Sequence, residues 1–366
     1  MANAHKIRVA IVGGGYGGYA LAIRLDPHVD VILIDAREAF VHNVAAIRAI
    51  VNPTLTRQIV IPYDRLLKRG RFVCGRVTEI HEGGVRLADG PAIEADIVVA
   101  ATGSHYAAPF KPQGDSVADF SARLAEVSAQ VKAADHVVIV GAGAVGVELA
   151  GEIKAVYADK HVALLSSADR LFPSYPAKLH AGLVRRLKAL GVDLHLGDGA
   201  KSLEATDRPW AGDVTLESGA RLSGLIFPAI GTRIAESPVH ALPGVTRRQN
   251  GQVEVDAWLR PSRLPNVFAL GDIAETGDAM TVVGTTRQAP WLAKTLRQIA
   301  SGKRVAKLKR YTPWPVPPIL LPLGSGRGVS VLPLGKSGMV VGDGMTSSLK
   351  GKTLFIPRYH EEFGRA

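Results

Sequence analysis

Two glycine clusters carry most of the chemistry open to this chain. Gly13-Gly14-Gly15-Tyr16-Gly17-Gly18 follows the apolar run Lys6 to Val12 and precedes a helical stretch, Tyr19 to Leu25. A second apolar run, Val29 to Ile34, ends on Asp35, 22 residues after Gly13. Strand, G-x-G-x-x-G, helix, strand and acid is the order that binds a dinucleotide. Gly13 permits the tight turn, Gly15 lets a pyrophosphate approach the backbone, and Gly18 lets helix and strand pack closely. The helix N-terminus offers free N–H groups and the positive end of its dipole to the phosphates. Asp35 stands where a carboxylate holds ribose hydroxyls. The pattern then returns: strand His136 to Val140, Gly141-Ala142-Gly143-Ala144-Val145-Gly146, helix Val147 to Val156, strand His161 to Leu165. Two copies, each correctly flanked, call for two nucleotides, or for one nucleotide and a redox partner.

Other strands must position these clusters. Ala95 to Ala100 is a buried-strand run ending in Ala101-Thr102-Gly103-Ser104, and Arg221 to Ile230 ends in the similar Ile230-Gly231-Thr232. Val267 to Leu270 ends in Gly271-Asp272. There a small residue allows close approach and an acid accepts from ligand hydroxyls, although Asp272 equally suits a helix N-cap. Arg57 to Ile61, Arg71 to Ile80, Val192 to Leu196 and Asp213 to Glu217 read as further strands, with hairpin turns at Gly83-Gly84 and Asp89-Gly90. Ser121 to Ala133, Ala177 to Leu190 and Arg287 to Ile299 read as helices, and the tail ends in expected strands at Gly338 to Val341 and Lys352 to Ile356. The expected fold class is α/β: two Rossmann-like doubly wound domains plus a C-terminal α+β segment. The expected boundaries are 1–113 with 249–310 for the first domain, 114–248 for the second, and 311–366 for the segment that closes over the site.

Composition narrows the chemistry. The chain has 366 residues, 47% of them hydrophobic, and a single cysteine, Cys74, so neither an internal disulfide nor a Cys₄ metal site can form. No metal site is expected. No apolar run approaches the ~18 residues that span a bilayer, and the stretch before the first strand is too short for a signal peptide. A chain beginning Met1-Ala2 lacks the glycine needed for myristoylation. The expectation is a cytoplasmic protein, peripheral on a membrane at most. Formal net charge is +11, and Lys294, Arg297, Lys303, Arg304, Lys307, Lys309 and Arg310 fall within twenty residues that hold no acid. Beside the apolar stretch Trp314 to Leu323, this run fits an anionic membrane surface; it fits a solvated helix face equally well. Non-enzymatic binding to a nucleic-acid backbone is the reading from another class, but no helix-turn-helix, zinc-finger or RNA-binding signature supports it.

Taken in order, the two glycine motifs, Ala101-Thr102-Gly103 and Gly271-Asp272 resemble the two-dinucleotide-binding flavoproteins. The stretch Phe40 to Arg48 (FVHNVAAIR), the helix segment Gly146-Val147-Glu148-Leu149-Ala150 with Glu152-Ile153-Lys154, and Leu349-Lys350-Gly351-Lys352-Thr353-Leu354-Phe355 are similar to a narrower family. That family is the apoptosis-inducing-factor-homologous group, with its ferroptosis-suppressor members, related to type II NADH dehydrogenases. The resemblance covers nearly the whole chain. It implies FAD on the first fold, contacted from Gly13 to Gly17 and by Arg48, Val77, Thr102, Gly103, Lys111 and Asp272. It implies NAD(P)H on the second, with Glu148 beside the nicotinamide nucleotide and Lys350 and Phe355 near the flavin end. It further implies an enzyme that reduces quinones. Arg48 also suits a helix surface, Lys350 a solvated loop, Phe355 a core, and His42 a structural hydrogen bond rather than donation to a quinone oxygen.

With one cysteine, the dithiol relay of the lipoamide, glutathione and thioredoxin reductases is excluded. Hydride from NAD(P)H to flavin, then two electrons directly to the acceptor, is the expected ping-pong sequence. The runner-up is a reductase for a ferredoxin- or rubredoxin-like protein, whose acidic surface a basic chain would suit. The second fold's strand ends at Ser166-Ser167 with no acid, and Arg170 follows. A 2′-phosphate therefore meets no repulsion there, and NADPH is admissible beside NADH; Arg170 facing water is the alternative.

Overall fold

The computed structural model describes residues 6–234 and 236–365. Met1-Ala2, on which the lipid-attachment expectation rests, lies outside the described residues.

The first sheet runs Val267–Ala269, Ile97–Ala100, Arg8–Val12, Asp30–Asp35, Arg71–Cys74, all parallel. Side chains alternate between its faces, and both faces are covered, so the strands read as continuous apolar runs. Val9, Ile11, Val31 and Leu33 pack with Leu21, Leu25, Leu292 and Leu296 of the helices Tyr16–Leu25 and Val282–Ala300. Ala10, Val12, Ile32 and Ile34 pack instead on Val77, Ile80 and Val85 of a small antiparallel sheet, Val77–His81, Gly84–Leu87 and Ala92–Glu94. Neighbours of Arg8–Val12 depart in opposite directions along the sheet. That is the switch point at whose carboxyl ends a crevice opens.

The second sheet repeats the plan: Val192–Leu196, His161–Ser166, His136–Val140 and Arg221–Pro228 are parallel, and Trp210–Thr215 is antiparallel at the edge. Ala144–Val156 is its motif helix. The last 50 or so residues clamp the two halves. Ile319–Pro322, Gly328–Leu332 and Met339–Val341 form an antiparallel sheet, laid so tightly on the second motif helix that a Cβ on Gly151 would lie 2.5 Å from Leu323 Cα. The chain then crosses to the first domain, where Tyr359 and Phe363, at the end of the helix Ile356–Glu362, join Tyr19, Phe40 and Tyr63 in one core.

Three expectations about elements change. Lys352 to Ile356 is not a strand: Ser347–Gly351 is helical, Leu354 and Phe355 take φ of +50° and +63°, and a helix follows. The β-preference of Thr353 to Ile356 yields to packing, since Leu354 and Ile356 are buried in the core between the domains. The Arg57 to Ile61 strand shrinks to Val60–Pro62 after the short helix Thr56–Ile59. The last long helix begins at Val282, capped by Thr281, whose side chain accepts from Gly284 N at 3.2 Å. The apolar stretch Trp314 to Leu323 is a surface only in its first half: Pro315 is exposed, whereas Ile319, Leu321 and Leu323 are buried. No helix among the described residues is long and apolar enough to cross a membrane.

Candidate active site

Both glycine motifs open on one cavity of about 1210 Å³ between the sheets. The two turns are built alike. Gly13 and Gly141 have φ of +106° and +110°, and a Cβ on either would meet the carbonyl oxygen of Ala101 or Ala229 at 2.3 or 2.2 Å. Cβ atoms on Gly18 and Gly146 would lie 1.7 and 1.9 Å from the Gly13 and Gly141 carbonyl oxygens. Around Gly15 and Gly143, by contrast, a Cβ would meet nothing within 4 Å. Neither motif helix has a side-chain N-cap bond or an acid in its first turn. Each turn is therefore closed on the protein side, open on the cavity side, and backed by uncapped N–H groups. This is a cradle that a diphosphate fits.

Gly13, Gly15, Tyr16, Gly17, Asp35, Thr102, Gly103, Lys111 and Asp272 line the first half of the cavity. Asp35, buried, accepts from Gly14 N at 2.7 Å and Arg37 N at 2.9 Å. The Lys111 ammonium donates to Ser104 Oγ at 2.6 Å and lies 3.6 Å from Asp272 Oδ2. Burial pulls the Lys111 pKa down, against the attraction of Asp272. Asp272 accepts from Ser104 Oγ and caps no helix by its side chain; its neighbour Gly271 donates its N–H to Gln288 Oε1 at 2.7 Å. Gly141, Gly143, Glu148, Ser166, Arg170 and Gly231 line the second half, and Lys350 and Phe355 border the cavity from the C-terminal segment.

Gly14, Gly18, Gly146, Arg48, Val77 and His42 do not reach the cavity wall. The first three shape the turns from behind. Val77 sits in the small sheet behind the first domain. Arg48 grips Glu152 through two nitrogens, at 2.8–3.0 Å, joining helix Asn43–Ala49 to the second motif helix. It is neither a surface cation nor part of the cavity wall. His42 is fully buried. Its Nε2–H donates to the Leu354 carbonyl at 2.6 Å and its Nδ1 accepts from Tyr16 Oη at 2.7 Å, which leaves neither nitrogen for a quinone. Burial pushes its pKa down to about 4. Lys350 is not a solvated loop charge: its ammonium lies 2.6 Å from Glu148 Oε1 and donates to the Leu320 carbonyl at 3.2 Å. Burial pushes the Glu148 carboxyl up while Lys350 pulls it down.

Sequence reasoning passed over Arg37, Ser104, Lys201 and Thr281, which also line the cavity. Two of these left a signal: Ser104 closes the Ala101-Thr102-Gly103 turn, and Thr281 offers a β-hydroxyl three residues before Gly284. Cys74 is exposed and lies away from the cavity wall.

Two mononucleotide folds facing one cavity define a two-dinucleotide oxidoreductase. The chain belongs to the pyridine nucleotide-disulphide oxidoreductase family, whose pattern matches residues 7–293, and members of this family use FAD and NAD(P)H. It is similar to apoptosis-inducing factor homolog B of Dictyostelium discoideum, at 30% identity over 98% of this chain and 97% of that protein. It is also similar to ferroptosis suppressor protein 1 of Homo sapiens, at 30% identity over 96% and 94%. Its fold is that of NDH2 from Plasmodium falciparum in complex with NADH, with a TM-score of 0.73 and 14% identity over 98% of both chains. The chain is thus a flavoprotein oxidoreductase, although a family named for its disulphide is represented here by a single cysteine.

Proposed function

We propose that this oxidoreductase takes reducing equivalents from NAD(P)H through FAD and delivers them to a quinone, with no thiol relay. The observation that carries the reading is the single cavity walled by both glycine turns while Cys74 lies elsewhere. The similarity to ferroptosis suppressor protein 1 over nearly the whole length supports it.

In this reading residues 1–113 and 249–310 hold FAD and residues 114–248 hold NAD(P)H. The uncapped N–H groups behind Gly15 take the FAD pyrophosphate, Asp35 takes ribose hydroxyls, and Ser104, Lys111 and Asp272 bind the polar chain between pyrophosphate and ring. The turn at Gly143 takes the nicotinamide dinucleotide's phosphates, and Ser166 and Arg170 face its adenosine ribose. When bound, FAD supplies hydride acceptance and two-electron donation, which is the cofactor's own chemistry. The protein positions and excludes water. Phe355 presents an apolar face to the cavity, held by the Tyr16–His42–Leu354 hydrogen-bond chain. Glu148 and Lys350 form a neutralised pair on the same cavity wall.

Steady-state NADH and NADPH oxidation with a soluble short-chain quinone, and separately with a small iron–sulfur protein, tests the reading. Turnover with the quinone is expected. Turnover confined to the iron–sulfur protein would replace it with a redoxin reductase.

A further inference from the structure

The family chemistry leaves one feature of this chain unused. Lys294, Lys303, Arg304, Lys307 and Lys309 line a groove of about 670 Å³ at the far end of the Val282–Ala300 helix, with Gln298, Gly302 and Leu308 completing it. No Asp or Glu lines it, and none lies between Trp291 and Arg310. The five cations make no ion pair within 4.0 Å among the described residues.

Capping does not account for them. The helix's last carbonyls are already taken by backbone donors: Ser301 N to Arg297 O at 3.1 Å, Gly302 N to Ile299 O at 2.8 Å, and Lys303 N to Gln298 O at 3.0 Å. The loop that follows is anchored. Trp258 Nε1 donates to the Leu308 carbonyl at 3.2 Å, Arg310 lies over the Trp258 ring at 5.7 Å, and Leu308 is buried. Like charges are thus held together across a concave surface, where the field they make is focused rather than dissipated.

We propose that this groove binds a ligand carrying clustered phosphate groups. Several tetrahedral dianions at close spacing match point-charge ammonium groups on flexible stems, with one guanidinium for a two-pronged contact. A redox protein fits less well. Thr286 is the last residue of this helix on the wall of the redox cavity and Lys294 the first on the groove, about 12 Å further along the axis by ~1.5 Å per residue. A partner seated in the groove meets none of the residues that line the cavity. Insertion into a bilayer fits less well too, since the one apolar lining residue, Leu308, is buried.

The clustered phosphates have two sources, a membrane headgroup or a soluble polyphosphate, and the test separates them. The full-length holoprotein is titrated with inorganic tripolyphosphate. It is also floated with phosphatidylcholine vesicles carrying either phosphatidylinositol bisphosphate or phosphatidylserine. The proposal expects saturable binding to tripolyphosphate or to the bisphosphate vesicles, weakened about tenfold or more by Lys303→Glu with Lys307→Glu and by raised salt. Tripolyphosphate binding assigns a soluble ligand, and binding of the bisphosphate vesicles alone assigns a headgroup. Turnover with NAD(P)H is expected to be unchanged in the double variant. The proposal is overturned if neither probe binds at physiological salt. It is also overturned if Lys132→Glu with Lys336→Glu, an equal charge change elsewhere, weakens binding as much, or if only duplex DNA binds the groove.

Discussion

Lys350 Nζ lies 2.6 Å from Glu148 Oε1, a contact between residues 202 apart in the chain that ties the C-terminal segment to the second motif helix. Both side chains are nearly out of solvent, at 10% and 6% exposure. One turn further along the same helix Glu152 holds Arg48 of the first domain. The two ion pairs stitch three parts of the molecule together along one helix face.

Breaking one partner of such a pair leaves an uncompensated buried charge. Lys350→Met is expected to cost about 3–5 kcal/mol of stability. Lys350→Met combined with Glu148→Gln should recover much of that loss. Urea denaturation of the two variants checks it, and a double variant less stable than the single one would contradict the pairing.

The glycine turns give a sharper separation of fold from function. Gly13→Ala drives a methyl into the Ala101 carbonyl at a positive φ and is expected to impair folding itself. Gly15→Val and Gly143→Val have open space and should leave the circular dichroism spectrum intact. The first should lose bound flavin. The second should keep it and raise KM for NAD(P)H at least about tenfold, the effect of removing ~1.4 kcal/mol of binding.

Arg170 sits on the cavity wall with Lys201 and Glu217, after the strand end at Ser166. Arg170→Ala should lower kcat/KM for NADPH by roughly tenfold and leave the NADH value nearly unchanged, the cost of ~1–2 kcal/mol for one charge-assisted contact. An equal loss with both coenzymes would show that Arg170 does not read the 2′-phosphate.

His42 makes stability depend on pH. Its native pKa of about 4 lies below the 6.5 of an unperturbed histidine, so between those values the unfolded chain binds the extra proton. Stability from this residue is complete above pH 6.5 and falls as pH drops toward 4, by about 3 kcal/mol in total. Melting temperatures measured from pH 7 to 4.5 should fall less steeply for His42→Gln than for the unaltered protein. Parallel curves would remove His42 from the account.

Much of this site was readable in the chain because its logic is local. Gly13, Gly15, Gly18 and Asp35 stand in one βαβ unit, and their spacing follows from turn, helix and strand lengths. Their counterparts at Gly141, Gly143 and Gly146 read the same way. What could not be read joins distant segments. Nothing near Lys350 says that its partner is Glu148, and nothing near Arg48 says that Glu152 will accept from its Nε and Nη2 together. Leu354 and Phe355 look extended by propensity, but the packing between two domains and the His42 bond to the Leu354 carbonyl fold them into a left-handed turn. The helix from Val282 starts earlier than the expected Arg287 because Gly284, Thr285 and Thr286 weaken helical preference, while the Thr281 cap and burial of Gly284 and Thr285 outweigh it.

The central claim is direct electron passage between two nucleotides and an acceptor in one cavity, and rapid mixing of the Cys74→Ser holoprotein tests it most directly. NADH or NADPH added without oxygen should bleach the flavin absorbance in a single saturable phase, and a soluble quinone added next should restore it. Loss of either phase on replacing Cys74, or a protein that cannot be loaded with FAD at all, would contradict the account.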